Sequence, residues 1–265
     1  MTQRDFALDR RLEGKVAVIT GTASGQGREA AIRFAAEGAI VHGCDIDGEG
    51  AAHTVAMVEA TGGEMHSSHP IDLTDEDSVV GWIEDVGTRH GRIDILYANA
   101  GLTTFAPVPE ITLEDWRFVM THEIDLVFLP VRSAWKYLCQ SGNASIILIG
   151  STAGVTGSVT NARLAHTASK GAVVAMTRQL AAEGAPHHIR ANCISPGMIS
   201  TPQSEATLLD DGHPMSTIAS SIPLGRLGTP TDVVNCAVFL ASDEAGYVTG
   251  TNLMVDGGWS AVLPG

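Results

Sequence analysis

Two side chains that can exchange protons, His166 and Lys170, lie four residues apart in the stretch 165–171, Ala-His-Thr-Ala-Ser-Lys-Gly. On an α-helix this spacing places both side chains on one face, about one turn apart. Their neighbours are small, so a second molecule can approach that face closely. The same spacing is also typical of an ordinary solvated helix surface, so its meaning depends on the elements around it.

The composition is that of a globular chain and excludes several classes of function. The chain has 265 residues, 44% of them hydrophobic, and a net charge of −14. Its 16 Lys and Arg residues are scattered, which argues against a nucleic-acid partner. No apolar run reaches the ~18 residues of a membrane span, and the charged segment 1–14 lacks the apolar core of a signal peptide. The four cysteines form no C-x-x-C pair, which predicts reduced thiols and a cytoplasmic protein.

A glycine-rich turn at 21–27 follows a β-branched strand at 15–20 and precedes a helical pattern at 28–37. A second strand, 39–44, then ends at Asp45. Strand, glycine turn, helix, strand and acid are the parts of a dinucleotide-binding βαβ unit, in which glycines and the helix N-terminus receive a pyrophosphate.

The residues around this turn favour NAD over NADP. The carboxylate of Asp45 can accept hydrogen bonds from ribose hydroxyl groups and would repel a 2′-phosphate. Ser24 and Gln26 stand where a phosphate-binding Arg or Lys would lie. Arg28 is the nearby cation that keeps NADP open as an alternative.

Strands and helices alternate along the rest of the chain. Further strands are predicted at 64–71, 93–97, 145–150, 189–194 and 252–255. Helices are predicted at 46–62, 113–138, 162–183 and 232–242, and another helix follows the strand 64–71 and ends near residue 90. This alternation predicts one α/β domain with a doubly wound parallel sheet covered by helices on both faces. Ligands of such sheets bind beyond the carboxyl ends of the strands. The candidates at those ends are Gly21, Asp45, Asp72, Asn99, Ser151 and Pro196.

Two acidic residues allow more than one interpretation. Asp72 suits a contact with adenine, but Asp72 or Thr74 can also cap the helix that follows. Glu123 lies among apolar positions of the predicted helix 113–138. Its position in the sequence places it either on the solvated face or in the site.

Together these motifs resemble the short-chain dehydrogenase/reductase family from Lys15 to Gly258. The matching residues are Thr20-Gly21-x-x-x-Gly25-x-Gly27, Asp45, Asp72, Ala98-Asn99-Ala100-Gly101, Ser151, Lys170-Gly171, Asn192, Pro196-Gly197-x-Ile199-x-Thr201, Tyr247 to Gly250, and Asp256-Gly257-Gly258. The resemblance implies a single Rossmann-type domain over residues 1–265, with an N-terminal extension at 1–14 and a substrate-binding loop at 198–227. It also implies hydride transfer between a nicotinamide cofactor and a carbonyl or alcohol, and a homotetramer packed through the helices of Glu123 and Lys170.

The family pattern implies a cofactor site that draws on most of the strand ends. We expect NAD to be lined by Gly21, Ser24, Gly25, Gln26, Gly27, Asp45, Ile46, Asp72, Leu73, Asn99, Ala100, Gly101, Lys170, Pro196, Gly197, Ile199 and Thr201.

The catalytic set departs from the family's Asn, Ser, Tyr and Lys. Ser151 and Lys170 match, whereas His166 stands at the Tyr position and Glu123 at the Asn position. We hypothesise that Ser151 orients the substrate oxygen and that His166 shuttles the proton, because an ordinary imidazole pKa near ~6.5 is already close to working pH. Lys170 would hold the nicotinamide ribose and lower the imidazole pKa. Glu123 would raise the imidazole pKa, neutralise the charge of Lys170, or connect the pair to water.

Two alternatives to this dehydrogenase stay open at the level of sequence. Loss of the Tyr could leave an NAD-binding scaffold, a sensor or an enzyme of another reaction type, and the His at position 166 could be an engineered substitution.

The substrate pocket should draw on the segments 102–108, 153–160 and 198–222. Their apolar side chains favour a cyclic or aromatic secondary alcohol, unless these side chains only pack the loop against the body of the protein. They are Leu102, Phe105, Val155, Val159, Met198, Leu208 and Leu209. The remaining histidines His187, His188 and His213 lack partners at metal-ligand spacing, so we predict no catalytic metal.

Overall fold

Seven parallel strands form one sheet in this computed structural model, which describes residues 10–207 and 215–262. The strands are β1 (Val16–Thr20), β2 (Ile40–Cys44), β3 (Glu64–Ser68), β4 (Ile95–Ala98), β5 (Ala144–Ile149), β6 (Ile189–Pro196) and β7 (Asn252–Val255). Their order across the sheet is β3-β2-β1-β4-β5-β6-β7. The predicted single α/β domain with a doubly wound parallel sheet is confirmed.

Helices cover both faces of the sheet. They are α1 (Gly25–Ala36), α2 (Gly48–Ala60), α3 (Glu76–His90), α4 (Leu113–Met120), α5 (Leu126–Ser141), α6 (Leu164–Gly184), α7 (Pro202–Thr207) and α8 (Pro230–Ala241). Successive residues of β1 point to opposite faces: Val18 packs in the core formed with α3, α5 and α6, and Ile19 in the core formed with α1 and α8. Because both faces of the strands are buried, the strands read as continuous apolar runs in the sequence.

The strand order reverses between β1 and β4, which opens a crevice at their carboxyl ends. The chain leaving β4 is fixed there by Thr20, whose hydroxyl oxygen accepts hydrogen bonds from the backbone N–H groups of Asn99 and Ala100, each at 3.0 Å. The Asn99 side chain donates in turn to the Thr20 carbonyl at 3.1 Å. The ends of β1 and β4 are thereby locked together under the crevice.

Several predicted boundaries are wrong by a few residues. Helix α1 begins inside the glycine turn, at Gly25, instead of after it. Strand β3 ends at Ser68 instead of 71, since Pro70 has no amide hydrogen for the strand ladder. The alternative that Asp72 or Thr74 caps α3 is also wrong: Asp75 caps it and accepts a hydrogen bond from the Ser78 amide.

The predicted helix 113–138 is interrupted. Between α4 and α5 lies a π-helical turn, Thr121–Asp125, in which the Leu126 amide donates to the Thr121 carbonyl five residues back. This wider turn accommodates one residue more than an α-helical turn and changes the direction of the side chains on it. Glu123 occupies its centre and is buried.

Some predicted features fall on residues outside the described part of the chain. Leu208, Leu209 and His213 are among them, as are 1–9 of the N-terminal extension. All four cysteines are described and are free thiols. None of the helices in the described ranges is long and apolar enough to span a membrane.

Candidate active site

The glycine turn packs tightly against the end of β4. Gly21 has φ +77°, and a Cβ added to it would lie 3.1 Å from both the Ala100 Cα and the Asn99 amide nitrogen. A Cβ added to Gly27 would lie 1.9 Å from the Gly21 carbonyl oxygen. Glycine is therefore required at both positions, and the turn presents backbone instead of side chains to the crevice.

Asp45 organises the neighbouring strand end. One of its carboxylate oxygens accepts from the Ala23 amide at 2.8 Å and the other from the Asp47 amide at 2.9 Å. The Asp45 carbonyl accepts from the Ile71 amide at 2.9 Å, which brings the segment after β3 beside β2. The strand ends that were predicted to bind the adenosine part of a cofactor are therefore adjacent.

The candidate adenine residues differ in accessibility. Asp72 is exposed and accepts hydrogen bonds from the backbone and hydroxyl groups of Thr74, which hold the pKa of its carboxyl below the usual value. Leu73 is buried, and Ile46 is 65% exposed. An exposed isoleucine next to Asp45 offers an apolar surface for a flat ring.

Two further contacts extend this site across the crevice. A Cβ added to Gly25 would lie 3.6 Å from the Thr201 methyl carbon, and one added to Gly101 would lie 3.8 Å from the Lys170 Nζ. The structure thus brings most of the predicted cofactor residues into one band from Asp45 to Lys170. Pro196 and Gly197 lie at its border, where the Gly197 amide bonds to β7, and Ile199 pairs with Gly228.

Ser24 and Gln26 lie in the turn itself, and Gln26 provides a test of whether a cofactor fits. The Oε1 atom of Gln26 is buried and has no hydrogen-bond partner within the described residues. The ribose hydroxyl groups of a dinucleotide are donors from which such an oxygen can accept. The exposed backbone, Asp45 and this oxygen together fit a dinucleotide.

The Arg28 guanidinium bonds within the protein. Its Nε donates to the Thr54 hydroxyl at 3.0 Å, and its Nη2 donates to the Ala23 carbonyl. The cation is therefore occupied in joining the glycine turn to α2.

His166 and Glu123 form a close pair at the other end of the band. Both carboxylate oxygens of Glu123 lie 2.9 Å from His166 Nδ1. An ionised carboxylate only accepts hydrogen bonds, so in the neutral imidazole Nδ1 carries the proton and the Nε2 lone pair is left to accept one. This tautomer is the one that a general base requires.

Ser169 and Lys170 complete a buried cluster around the same carboxylate. The Ser169 hydroxyl donates to Glu123 Oε2 at 2.5 Å, and the Lys170 Nζ lies 3.7 Å from Oε1 and donates to the Ile149 carbonyl at 3.1 Å. Burial raises the pKa of the Glu123 carboxyl, but His166, Lys170 and Ser169 together outweigh burial and hold that pKa below its ordinary value. Glu123 is therefore an anion shared by a histidine and a lysine.

Ser151 follows β5 and begins a short 3₁₀ turn, Thr152–Gly154. Its Oγ accepts from the Ala153 amide at 3.1 Å, and the structure gives it no hydrogen bond to His166. The His166 ring is contacted edge-on by Phe105, with 5.7 Å between ring centroids. Of the predicted catalytic set, Glu123, His166 and Lys170 are thus joined by direct contacts, while Ser151 begins the turn whose Gly154 packs against the Lys170 backbone.

One residue of the site was missing from the predictions, and one residue of the family pattern proves to be structural. Ser169 was noted only for its small size, although it lies three residues after His166 and one before Lys170, so that all three share a helix face. That spacing was a signal for its contact with Glu123. Asn192, part of the family pattern, has a structural role: its side chain joins β6 to the Val248 carbonyl and the Thr251 amide.

Comparisons with known proteins agree with this architecture. A family model described as enoyl-(acyl carrier protein) reductase matches residues 21–260. The chain is 38% identical over 248 residues to the 3-oxoacyl-(acyl-carrier-protein) reductase FabG of Thermotoga maritima, which covers 94% of this chain and 98% of the relative. It is 40% identical over 250 residues to the 2,5-dichloro-2,5-cyclohexadiene-1,4-diol dehydrogenase LinX of Sphingobium indicum, with coverage of 94% and 98%.

A solved structure from Beutenbergia cavernae has a similar fold. It is described as an NAD(P)-dependent gluconate 5-dehydrogenase with NADP bound at low occupancy. It matches with a TM-score of 0.87 and 37% identity over 95% of this chain and 98% of that one. The chain therefore belongs to the short-chain dehydrogenase/reductase family, whose relatives here are dehydrogenases and reductases. The predictions of this family and of a nicotinamide cofactor are confirmed.

Proposed function

We propose that the protein is an NAD-dependent oxidoreductase that interconverts a secondary alcohol and a ketone on an apolar cyclic or aromatic substrate. The observation that carries the proposal is the contact of His166 with the buried Glu123 beside Lys170. By the family pattern, His166 and Glu123 hold the positions of Tyr and Asn in the catalytic set. We infer that they form a working replacement for that pair.

The reaction needs a hydride acceptor, which the nicotinamide supplies when bound. Nε2 of His166 takes the hydroxyl proton of the alcohol, because Glu123 keeps the other ring proton on Nδ1. The Ser151 Oγ accepts a hydrogen bond from the Ala153 amide, so the Ser151 hydroxyl hydrogen is free to be donated to the substrate oxygen. Lys170 would bind ribose hydroxyl groups, and its charge offsets that of Glu123. In the direction of ketone reduction, the imidazolium returns the proton.

The choice of NAD is supported by Asp45 and Arg28. A carboxylate at the end of β2 disfavours a 2′-phosphate by charge, and Arg28 is held by Thr54 and Ala23. The Beutenbergia structure has NADP bound, so NADP is the comparison cofactor in the test below.

The choice of substrate is supported by exposed apolar side chains on the segments near His166. Leu102 is 48% exposed and Val155 is 51% exposed, and Phe105 contacts the His166 ring. LinX, a relative named for a cyclic diol, is consistent with this choice. We further propose a cytoplasmic homotetramer that uses no catalytic metal, nucleic acid or membrane.

The test is to incubate the protein with NAD or NADP and a panel of cyclic, aromatic, acyclic and polyol alcohols while following the absorbance of the reduced cofactor. His166→Ala should lose roughly 10²–10⁴-fold in kcat, the usual contribution of a general base. His53→Ala, which removes an exposed histidine on α2, is the matched control and should keep full activity. Cofactor binding without turnover on any alcohol would contradict the proposal and leave the non-redox alternative.

A further inference from the structure

We propose that Ser169 is a positioning residue that holds the Glu123 carboxylate against His166. The inference rests on the proposed function, because it gives the Glu123–His166 pair a role in proton transfer. Ser169 is 0% exposed, and its hydroxyl lies 2.5 Å from Glu123 Oε2. Neither the family comparison nor the catalytic set assigns it any role.

The two oxygens of Glu123 are supported unequally. Both lie 2.9 Å from His166 Nδ1, whereas Ser169 bonds only Oε2 and Lys170 approaches only Oε1, at 3.7 Å. The Lys170 ammonium attracts the carboxylate away from the imidazole. The short bond from Ser169 opposes that attraction and keeps the carboxylate centred on Nδ1.

Without the Ser169 hydroxyl, the carboxylate can turn towards Lys170 and close the 3.7 Å separation to a direct ion pair. The imidazole would then lose the acceptor that fixes its tautomer. Glu123 lies on the π-helical turn, whereas its hydrogen-bond and ion-pair partners among the described residues all lie on α6, so the carboxylate depends on α6 for this restraint.

Ser169 also has a second partner that suits proton transfer. Its Oγ lies 2.9 Å from the His166 carbonyl oxygen on the preceding turn of α6. A hydroxyl has one hydrogen, so it donates to Glu123 when the carboxylate is ionised. If Glu123 is protonated, Ser169 can accept from it and donate to the His166 carbonyl instead. The cluster is therefore satisfied in both protonation states of Glu123.

The experiment compares four variants with the wild type. Ser169→Ala removes the hydroxyl, and Ser169→Thr restores it. Thr177→Val is the matched control: it removes a buried hydroxyl from the same helix, one that contacts the Val173 carbonyl and the Cys193 thiol and makes no contact with Glu123 or His166 among the described residues. Glu123→Gln removes the carboxylate itself.

Kinetics supply the first readout. Ser169→Ala should lower kcat roughly tenfold, the effect of losing a hydrogen bond to a charged group, with KM for alcohol and cofactor nearly unchanged. Because Ser169 helps to lower the pKa of Glu123, its loss should raise that pKa, which an infrared titration of the Glu123 carboxyl band measures. Ser169→Thr should recover both values, and Thr177→Val should alter neither.

NMR of ¹⁵N-histidine-labelled protein supplies a readout that needs no turnover. The His166 Nδ1–H resonance should be displaced in Glu123→Gln and Ser169→Ala, recover in Ser169→Thr and stay unchanged in Thr177→Val. The proposal is overturned if Ser169→Ala and Thr177→Val have the same resonance, or if they have the same kcat and the same Glu123 pKa in an active enzyme. Displacement of the resonance in a protein without turnover supports the positioning of Glu123 and overturns only the proposed function.

Discussion

Replacing Glu123 with Gln keeps the side-chain shape but removes the negative charge shared by His166, Lys170 and Ser169. A Gln amide can donate to Nδ1 of His166 as well as accept from it, so the ring proton is no longer fixed on Nδ1, and the tautomer with the proton on Nε2 lacks the lone pair that accepts the substrate proton. We expect kcat to fall by roughly 10²–10⁴-fold, as for other general bases held in the wrong tautomer.

The same substitution also leaves the Lys170 charge without its counter-ion. Breaking a buried ion pair costs about 3–5 kcal/mol. Here the Lys170 Nζ lies 3.7 Å from the carboxylate and keeps its 3.1 Å bond to the Ile149 carbonyl. We therefore expect the free energy of unfolding to fall by about 3 kcal/mol or less.

The assays are initial rates of alcohol oxidation at saturating cofactor and urea denaturation followed by circular dichroism. Glu114→Gln, which neutralises an exposed acid on α4, is the matched control and should behave as wild type in both. If Glu123→Gln equals Glu114→Gln in rate and in stability, the charge of Glu123 has no role in the site and the reasoning is wrong.

Three further predictions concern the cofactor site and the stability of the fold. Gly27→Ala should weaken NAD binding in a fluorescence titration, because its Cβ would lie 1.9 Å from the Gly21 carbonyl oxygen; unchanged affinity would contradict the proposed contact of the turn with a cofactor. Asp45→Asn should shift the ratio of dissociation constants towards NADP, since it removes the charge that repels a 2′-phosphate; an unchanged ratio would contradict that role. Burial and the nearby His90 and His66 lower the pKa of His42 to about 3. The unfolded chain therefore takes up a proton below about pH 6.5 that the folded chain refuses. From pH 7 to 5 the wild type should lose up to about 2 kcal/mol more stability than His42→Gln in urea denaturation, and equal losses would count against the shift.

The sequence alone determined the order of strands and helices, the glycine turn and the acid at the end of β2. These features are encoded locally: the strands are apolar runs because both faces are buried, and the turn needs glycine because a side chain would collide with the Gly21 carbonyl. Parallel strands then bring their carboxyl ends to one edge, which is why candidate ligands could be named before the fold was known.

Only the tertiary structure decided where Glu123 points. In a regular helix over 113–138 its orientation was ambiguous, and the π-helical turn Thr121–Asp125 resolved it by changing the hydrogen-bond pattern of one turn. Its contacts with His166 and Ser169 span 43 and 46 residues. Contacts of that separation depend on how α6 packs against the turn, which neither helical periodicity nor motif spacing specifies, so the partners of the carboxylate emerged only when the two helices were placed side by side.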